Sequence, residues 1–441
     1  MKNKILTGLL LVLIGGWGSL SAQSAGSNYA RQVNTLIGTK GVGLTSGYLY
    51  PGATYPYGMV QFTPSYFSKR SGFVINQLSG GGCEHMGNFP TFPVKGKLKM
   101  SPDNILNYRI NISEEKGHAG YYEAMVQEDI KAKLTVTERT GMASYEYPAD
   151  QQYGTVIIGG GISATPIEQA AIVITAPNKC EGYAEGGNFC GLRTPYKVYF
   201  VAEFDADALE SGTWKRDELK PNTTFAEGEY SGVYFTFDVS KKKNVQYKIG
   251  VSYVSVENAR ENLKAENTGW DFLQIQNQAE SKWNHYLGKI EVEGTNPDRA
   301  TQFYTHLYRS FIHPNVCSDV NGEYMGADFR VHKSRSKHYT SFSNWDTYRT
   351  QIQLLSILDP EVASDIVISH QLFAEEAGGA FPRWVMANIE TGVMQGDPTP
   401  ILISNAYAFG ARNYDPKPIF KIMRKGAEEP GAMSQDVEAR P

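Results

Sequence analysis

Between residues 130 and 255 the chain repeats one kind of segment, and just past Val256 it stops doing so. LTVTER (134–139), TVIIGGG (155–161), AIVITA (171–176), KVYFVAEFD (197–205), VYFTFDV (233–239) and VQYKIGVSYVSV (245–256) are all rich in β-branched and aromatic residues. Such side chains fit a pleated, half-buried surface. In KVYFVAEFD the alternate residues Val198, Phe200, Ala202 and Phe204 fall on one face, which marks that face as core. No helical pattern separates these segments, so they read as antiparallel strands packed as a β-sandwich.

Beyond Val256 the period changes. From Asn267 to Leu287 the apolar positions are Phe272, Ile275, Ala279, Trp283 and Leu287, the spacing of one helix face. Phe303, Leu307 and Phe311 repeat it, and further helices are expected around 345–358, 361–377, 399–411 and 416–426. The chain therefore divides into an N-terminal β-sandwich domain over 30–258, a helical linker over 259–294 and an all-helical domain over 295–441. The helices expected in the last part are too few to close a barrel of helical hairpins, so this part reads either as a small bundle or as a piece of a larger domain.

The first residues read as an address rather than as fold. Lys2 and Lys4 precede the apolar run Ile5–Ile14, and small residues lead to SLSAQ at 19–23. That is the pattern of a secretory signal peptide over residues 1–22, cut near Ala22. The run is shorter than the ~20 apolar residues that a membrane span takes, and no later segment qualifies. The expectation is an exported protein, secreted or periplasmic, without a membrane span. Net charge is -4, with no dense basic run interleaved with aromatics, so nucleic acid is not an expected partner.

Export makes disulfides available to the four cysteines, Cys83, Cys180, Cys190 and Cys317. Cys180 and Cys190 close a short stretch, KCEGYAEGGNFC, and are the candidate pair; the alternative is two buried free thiols. No C-x-x-C occurs, so zinc and dithiol redox motifs are not supported.

Three stretches carry the candidate chemistry. LSGGGCEHMGNFP (78–90) runs glycines into Cys83, Glu84 and His85. Asn88-Phe89-Pro90 discourages the helix that a phosphate cradle needs, and adjacent residues rarely converge as a Cys–His couple. What remains is a glycine-rich loop that lets a ligand approach the backbone closely. GGGISA (159–164) fits a dinucleotide fingerprint, yet Pro166 and the strand-like AIVITA follow it, so it reads as a turn. SNWDTYRTQ (343–351) places Asp346 three residues before Arg349 on one helical turn. That spacing suits an ion pair, or a sugar clamp in which Trp345 is the apolar platform and the carboxylate takes hydroxyl protons. GGAFPRWVMANIETGVMQGDPTP (378–400) is a long connection between helices that carries Arg383, Trp384, Asn388, Glu390, Thr391 and Asp397. Loops that long and that apolar are usually functional rather than disordered.

Taken together these stretches resemble glycoside hydrolase family 92, a family of exported, calcium-dependent α-mannosidases. The similarity begins at VNTLIGT (33–39) and continues through YPGATYPYGMVQFTP (50–64), the LSGGGC loop and GYYEAMVQEDIKAKLTVTERTGMASYEYP (120–148). FYTHLYRSFIHPNV (303–316), NWDTYRTQ (344–351), FPRWVMANIETGVMQGDP (381–398) and NAYAFGA (405–411) extend it through the helical part. The resemblance implies a β-sandwich, a helical linker and an (α/α)6-type barrel that is incomplete in this chain, with the active site where the domains meet. It also implies hydrolysis of terminal α-mannosyl linkages of glycans with inversion, assisted by Ca2+. An inverting site needs two carboxyls with room for a water between them, and a hard cation can grip vicinal hydroxyls among oxygen ligands. The family's acid lies in a T-L-E-Y-A string and its base in a G-N-D/E-D string, and neither occurs here. The catalytic pair is therefore expected C-terminal to Pro441, and neither Glu390 nor Asp397 is assigned to it.

The substrate-binding candidates are Gly81, Gly82, Cys83, Glu84, His85, Trp345, Asp346, Arg349, Arg383, Trp384 and Asp397; the metal ligands are unassigned. In the family the loop matching 82–86 helps shape the leaving-group subsite. The commonest activity is on α-1,2 linkages, with α-1,3, α-1,4, α-1,6 and mannose-phosphate as alternatives. A non-catalytic carbohydrate-binding chain is the competing reading.

Overall fold

The computed structural model describes residues 28–39, 47–65, 72–103, 112–294 and 296–428. The expected signal peptide lies outside them. Two antiparallel sheets make the N-terminal part. An eight-stranded sheet runs, in spatial order, Ala53–Thr54, Gln61–Pro64, Phe73–Val74, Thr91–Lys95, Tyr153–Ile158, Ser231–Asp238, Glu210–Lys215 and Glu218–Pro221. A nine-stranded sheet runs Phe225–Glu227, Ile167–Ala176, Lys179–Phe189, Leu192–Phe204, Asn244–Ser252, Thr140–Glu146, Ile130–Val136, Tyr121–Val126 and Ile112–His118.

The alternation in KVYFVAEFD does what its pattern implies. Val198, Phe200, Ala202 and Phe204 are fully buried between the sheets, and the Phe204 ring packs against Phe235, Phe237 and Tyr247. Each large apolar side chain so buried stabilises the fold by about 1.5–3 kcal/mol. GGGISA is a turn that joins the strands Tyr153–Ile158 and Ile167–Ala176, with no helix behind it.

Part of the outer face of the nine-stranded sheet is covered by helix. Val201 points outward and packs on Ala259 and Leu263 of a helix. The helices are α1 (Tyr29–Gln32), α2 (Val256–Glu266), α3 (Phe272–Leu287), α4 (Pro297–Ser310), α5 (Asn344–Thr347), α6 (Gln351–Leu358), α7 (Pro360–Glu376), α8 (Pro398–Phe409) and α9 (Pro416–Glu428). Their starts follow capping chemistry. Ser255 caps α2 and Asp271 caps α3, each accepting a backbone N–H of the first turn. Asn296 does the same for α4, with Pro297 in the first turn where its missing N–H costs nothing. The α3 stripe Phe272, Ile275, Ala279, Trp283 and Leu287 is buried throughout. Among the described residues α4–α9 do not close a barrel.

The two parts share a core. Tyr50 and Tyr57, from the start of the β domain, are buried with Trp283, Tyr308, Phe311 and Tyr339. The Tyr57 ring meets Tyr286, Phe311 and Tyr339 edge-on at centroid distances of 5.7, 6.0 and 6.1 Å. Trp283 donates its indole N–H to Thr54 O at 2.7 Å. A charged knot adds to this contact. Arg139 bonds Glu138 at 2.6 Å, Glu266 of α2 at 2.7 Å and the carbonyl of Ser318 at 2.7 Å, and Lys337 also pairs with Glu138.

Candidate functional site

The glycine-rich loop is pinched at its base by two asparagines. Asn76 Nδ2 donates to Asn88 Oδ1 at 3.0 Å, and the Asn88 amide donates to Asn76 Oδ1 at 2.8 Å. Inside the pinch the fully buried His85 ring fills the loop. Its Nε2 accepts from the Leu78 amide at 2.9 Å, and its Nδ1–H faces Cys83 O at 2.7 Å. Burial holds this imidazole down to about 4, so it is neutral at pH 7. Glycine at 81 follows from the ring: a Cβ there would stand 3.0 Å from His85 Cε1. Gly80 takes φ +82°, which glycine tolerates without strain, and its amide bonds Tyr48 O at 2.8 Å.

The expected Cys180–Cys190 pair is not formed. KCEGYAEGGNFC is a β-strand rather than a loop, so its ends stand roughly 33 Å apart at about 3.3 Å per residue. Cys180, second in that strand, is a fully buried free thiol, pushed far up by desolvation. Cys190 instead bonds Cys83, with Cα atoms 5.2 Å apart, and ties the glycine-rich loop to the turn between Lys179–Phe189 and Leu192–Phe204. Cys83 is thereby closed to nucleophilic chemistry. Cys317 is a buried free thiol.

From the helical side, three segments face this loop. Asn344 in α5 is buried and donates to Pro382 O at 3.2 Å and Thr399 Oγ1 at 2.7 Å, while its Oδ1 lies 3.0 Å from His370 Nε2 in α7. His370 directs Nδ1–H to Ile366 O at 2.7 Å and stacks on Phe342 at 3.9 Å. Asp346 is exposed and accepts the Ser343 hydroxyl. Arg349 lies over the rings of Trp345 at 4.4 Å and Tyr348 at 4.5 Å. Trp384 stands at the start of the hairpin Val385–Met386/Ile389–Glu390 and packs on Phe189 across the domain boundary at 4.4 Å. Glu390 fixes that hairpin by accepting the amides of Arg383 (2.6 Å), Trp384 (3.2 Å) and Gly392 (2.9 Å). Burial nonetheless pushes its carboxyl above the usual range.

Between these elements lies a cavity of about 460 Å³, within the span of small-molecule sites. Of the residues singled out in the sequence, Gly81, Gly82, Cys83, Asp346 and Trp384 line it. Six do not. Glu84 is exposed, and His85 is spent inside the loop. Trp345 and Arg349 stack on each other beside the cavity. Arg383 is buried against the carbonyls of Gly392 and Val393. Asp397 stands at the N-terminus of α8, where burial raises its carboxyl against the pull of Arg383. Other lining residues escaped the sequence reading: His313, Asn344, Gln351 and His370. Asn344 and Gln351 lie within the candidate stretch SNWDTYRTQ and His313 within FYTHLYRSFIHPNV, but neither stretch says which of its side chains turn inward; His370 sits in an ordinary helix.

The cavity does not fit a calcium ion on its own residues. Among the described residues no three His, Cys, Asp or Glu side chains come together as a metal cluster, and Asp346 is the one carboxylate in the lining. Calcium takes six to eight oxygen ligands.

Residues 32–252 match the family model described as the glycosyl hydrolase family 92 N-terminal domain, and residues 258–440 match that of the family 92 catalytic domain. An uncharacterized secreted glycosidase of Arthroderma benhamiae is 26% identical over 363 residues, which are 73% of this chain and 45% of that protein. A family 92 α-mannosidase of Bacteroides thetaiotaomicron superposes with a TM-score of 0.83 at 25% identity, covering 91% of this chain and 57% of that one. The same neighbour has also been solved with mannoimidazole bound. An inverting family 92 mannosidase of that organism has a similar fold, with a TM-score of 0.79 at 24% identity over 92% of this chain and 56% of its own. The chain thus spans about half the length of these relatives. No helix among the described residues is long and apolar enough to cross a membrane.

Proposed function

The chain belongs to glycoside hydrolase family 92, and from that premise we propose that it supplies the sugar-cradling part of an exo-α-mannosidase that cuts terminal α-mannosyl linkages with inversion. The observation that carries this reading is the cavity between the two domains. It has the volume for a hexose and its neighbour, the Trp384 ring as an apolar platform, and Asp346 as an acceptor for sugar hydroxyls. Gly81 and Gly82 offer backbone without side chains beside it. The glycan enters from the side of the Cys83–Cys190 bridge, which borders the leaving-group position, and α-1,2 is the proposed linkage.

Inversion needs two carboxyls spaced for a water. Asp346 is the one carboxylate that lines the cavity among the described residues, and all of Glu390's amide bonds serve its hairpin. The acid and the base are therefore proposed to lie outside these residues. Calcium assistance is proposed for the protein as a whole. Export is proposed from residues 1–22; N-terminal sequencing of the mature protein is expected to read from about Gln23, and a start at Met1 would count against it.

The test is mannose release from α-1,2-, α-1,3-, α-1,4- and α-1,6-linked mannobiosides and a mannose-phosphate substrate by the full-length protein. Release of β-mannose, lost on chelation of calcium, supports the reading; no release from any substrate sinks it. The single carboxylate also favours a second reading, glycan binding without cleavage. Calorimetric binding of mannose together with no turnover by the whole protein would select it.

A further inference from the structure

The cavity wall formed by the glycine-rich loop is fastened by groups that titrate. The backbone amides of two successive residues each end on the Nε2 of a histidine: Leu78 on the buried His85 at 2.9 Å and Ser79 on the half-buried His313 at 2.8 Å. A ring nitrogen accepts a hydrogen bond only while it carries no proton. His85 belongs to the loop itself and has its other nitrogen on Cys83 O. His313 follows α4 on the helical side of the cavity, so its bond to Ser79 crosses between the domains. We propose that His313 and His85 are positioning residues that hold the loop closed over the cavity as neutral acceptors, and that their protonation releases this wall.

Once a ring is protonated, its N–H points at an amide N–H and attraction becomes repulsion at that amide; when both rings are protonated, two consecutive amides lose their acceptors. The surroundings favour the neutral form. Desolvation holds both rings down to about 4, and Arg309 and the other ring oppose a charge on His313. Arg309 is itself engaged by the carbonyls of Thr35 and Tyr50. Asp346 and His370 are the remaining titratable groups that line the same cavity, and Phe189 meets His85 edge-on at 6.1 Å. The clasp is therefore made at neutral pH and lost as pH falls through about 4. The Cys83–Cys190 bridge limits the released span to the residues before it.

This deepens the sugar-site reading, on which its consequence for binding rests; the clasp itself needs no sugar. Hydrogen exchange, corrected for the intrinsic pH dependence of the rate, reads the Leu78 and Ser79 amides directly. Between pH 6 and pH 4 a ring with a value near 4 goes from ~1% to ~50% protonated. Protection of residues 78–82 should therefore fall by roughly tenfold or more, with the strand at 197–205 as the control for an intact sandwich. In His313→Gln the amide oxygen accepts from Ser79 at every pH, and the fall at Ser79 should shrink at least about threefold. Flat protection in the unaltered protein, or the same fall in His313→Gln, overturns the proposal. Should that variant not fold, the profile of the unaltered protein decides alone. Mannose calorimetry at pH 6 and pH 4 separates the two readings. Weaker binding at pH 4 supports both, whereas a titrating loop with no mannose binding at pH 6 upholds the clasp and removes the sugar site.

Discussion

Removing the Cys83–Cys190 bridge isolates one stabilising term that the structure makes calculable. The two residues are 107 apart in sequence, and a cross-link of that span takes about 4.8 kcal/mol of chain entropy, as an upper value, out of the unfolded state. Cys83→Ser should lose that amount and little else. Cys190 is different, because it shares a two-residue turn with Gly191 between the paired residues Phe189 and Leu192. Both turn positions have positive φ, +50° and +87°, the signature of a type I′ turn. A cysteine with that backbone costs about 1 kcal/mol, and asparagine tolerates it. Cys190→Asn should therefore lose the bridge yet recover part of the loss at the turn, ending about 1 kcal/mol more stable than Cys83→Ser. For a β domain of this size the full loss corresponds to a thermal midpoint lowered by about 10–20 °C. Urea unfolding followed by tryptophan fluorescence, with and without a phosphine reductant, measures both quantities. A reductant that leaves the midpoint unmoved would refute the entropic argument. Cys190→Asn falling below Cys83→Ser would refute the turn argument.

Three further outcomes follow from the geometry. Asp346→Asn should weaken mannose binding by roughly 10–100-fold, as expected for loss of a charged hydrogen bond, while the unfolding midpoint of this exposed position stays put; calorimetry and urea titration read the two. Gly82→Ala should leave stability within about 0.5 kcal/mol, since the nearest atom to the added methyl is 4.0 Å away, but should lower mannose affinity by crowding the wall. Burial would raise the Glu138 carboxyl, yet Arg139 and Lys337 outweigh it and hold it below the usual 4.5. Its contribution is thus present above that value and lost as pH falls through the lower, folded one. Glu138→Gln should cost about 3 kcal/mol at pH 7 and flatten the acid limb of the urea-midpoint profile; an unchanged limb counts against the knot between the domains.

The sandwich was readable because period-two alternation and burial are the same fact seen twice, as Val198–Phe204 demonstrate. The α3 stripe was readable for the matching reason at helical period. The site was readable only in part. Its segments are rich in glycine, proline and aromatics, which flagged them, but segment identity does not say which side chains turn inward. Arg383 looked like a sugar ligand and is consumed by carbonyls of its own loop. His85 looked like a site residue and is the loop's internal filler. The disulfide failed for a different reason: proximity in sequence was taken as proximity in space, and an extended strand separates its ends faster than any other structure. His313 and Asn344 lie in stretches that were flagged, but their roles come from long-range neighbours, and His370 lies in a helix that no local pattern announces.

The shared core has a consequence for synthesis. Tyr50 and Tyr57 are made early, but partners such as Tyr339 and Ile366 come about 300 residues later in the chain. At 5–20 residues per second that is a delay of roughly 15–60 s. Throughout it, the Tyr50 and Tyr57 rings lack part of their cover, although Ala53, Met59, Val60 and Phe62 of the same segment can already pack in the sandwich core. The order of manufacture and the order of packing run in opposite directions here, and the last helices to emerge finish a job begun by the first strands.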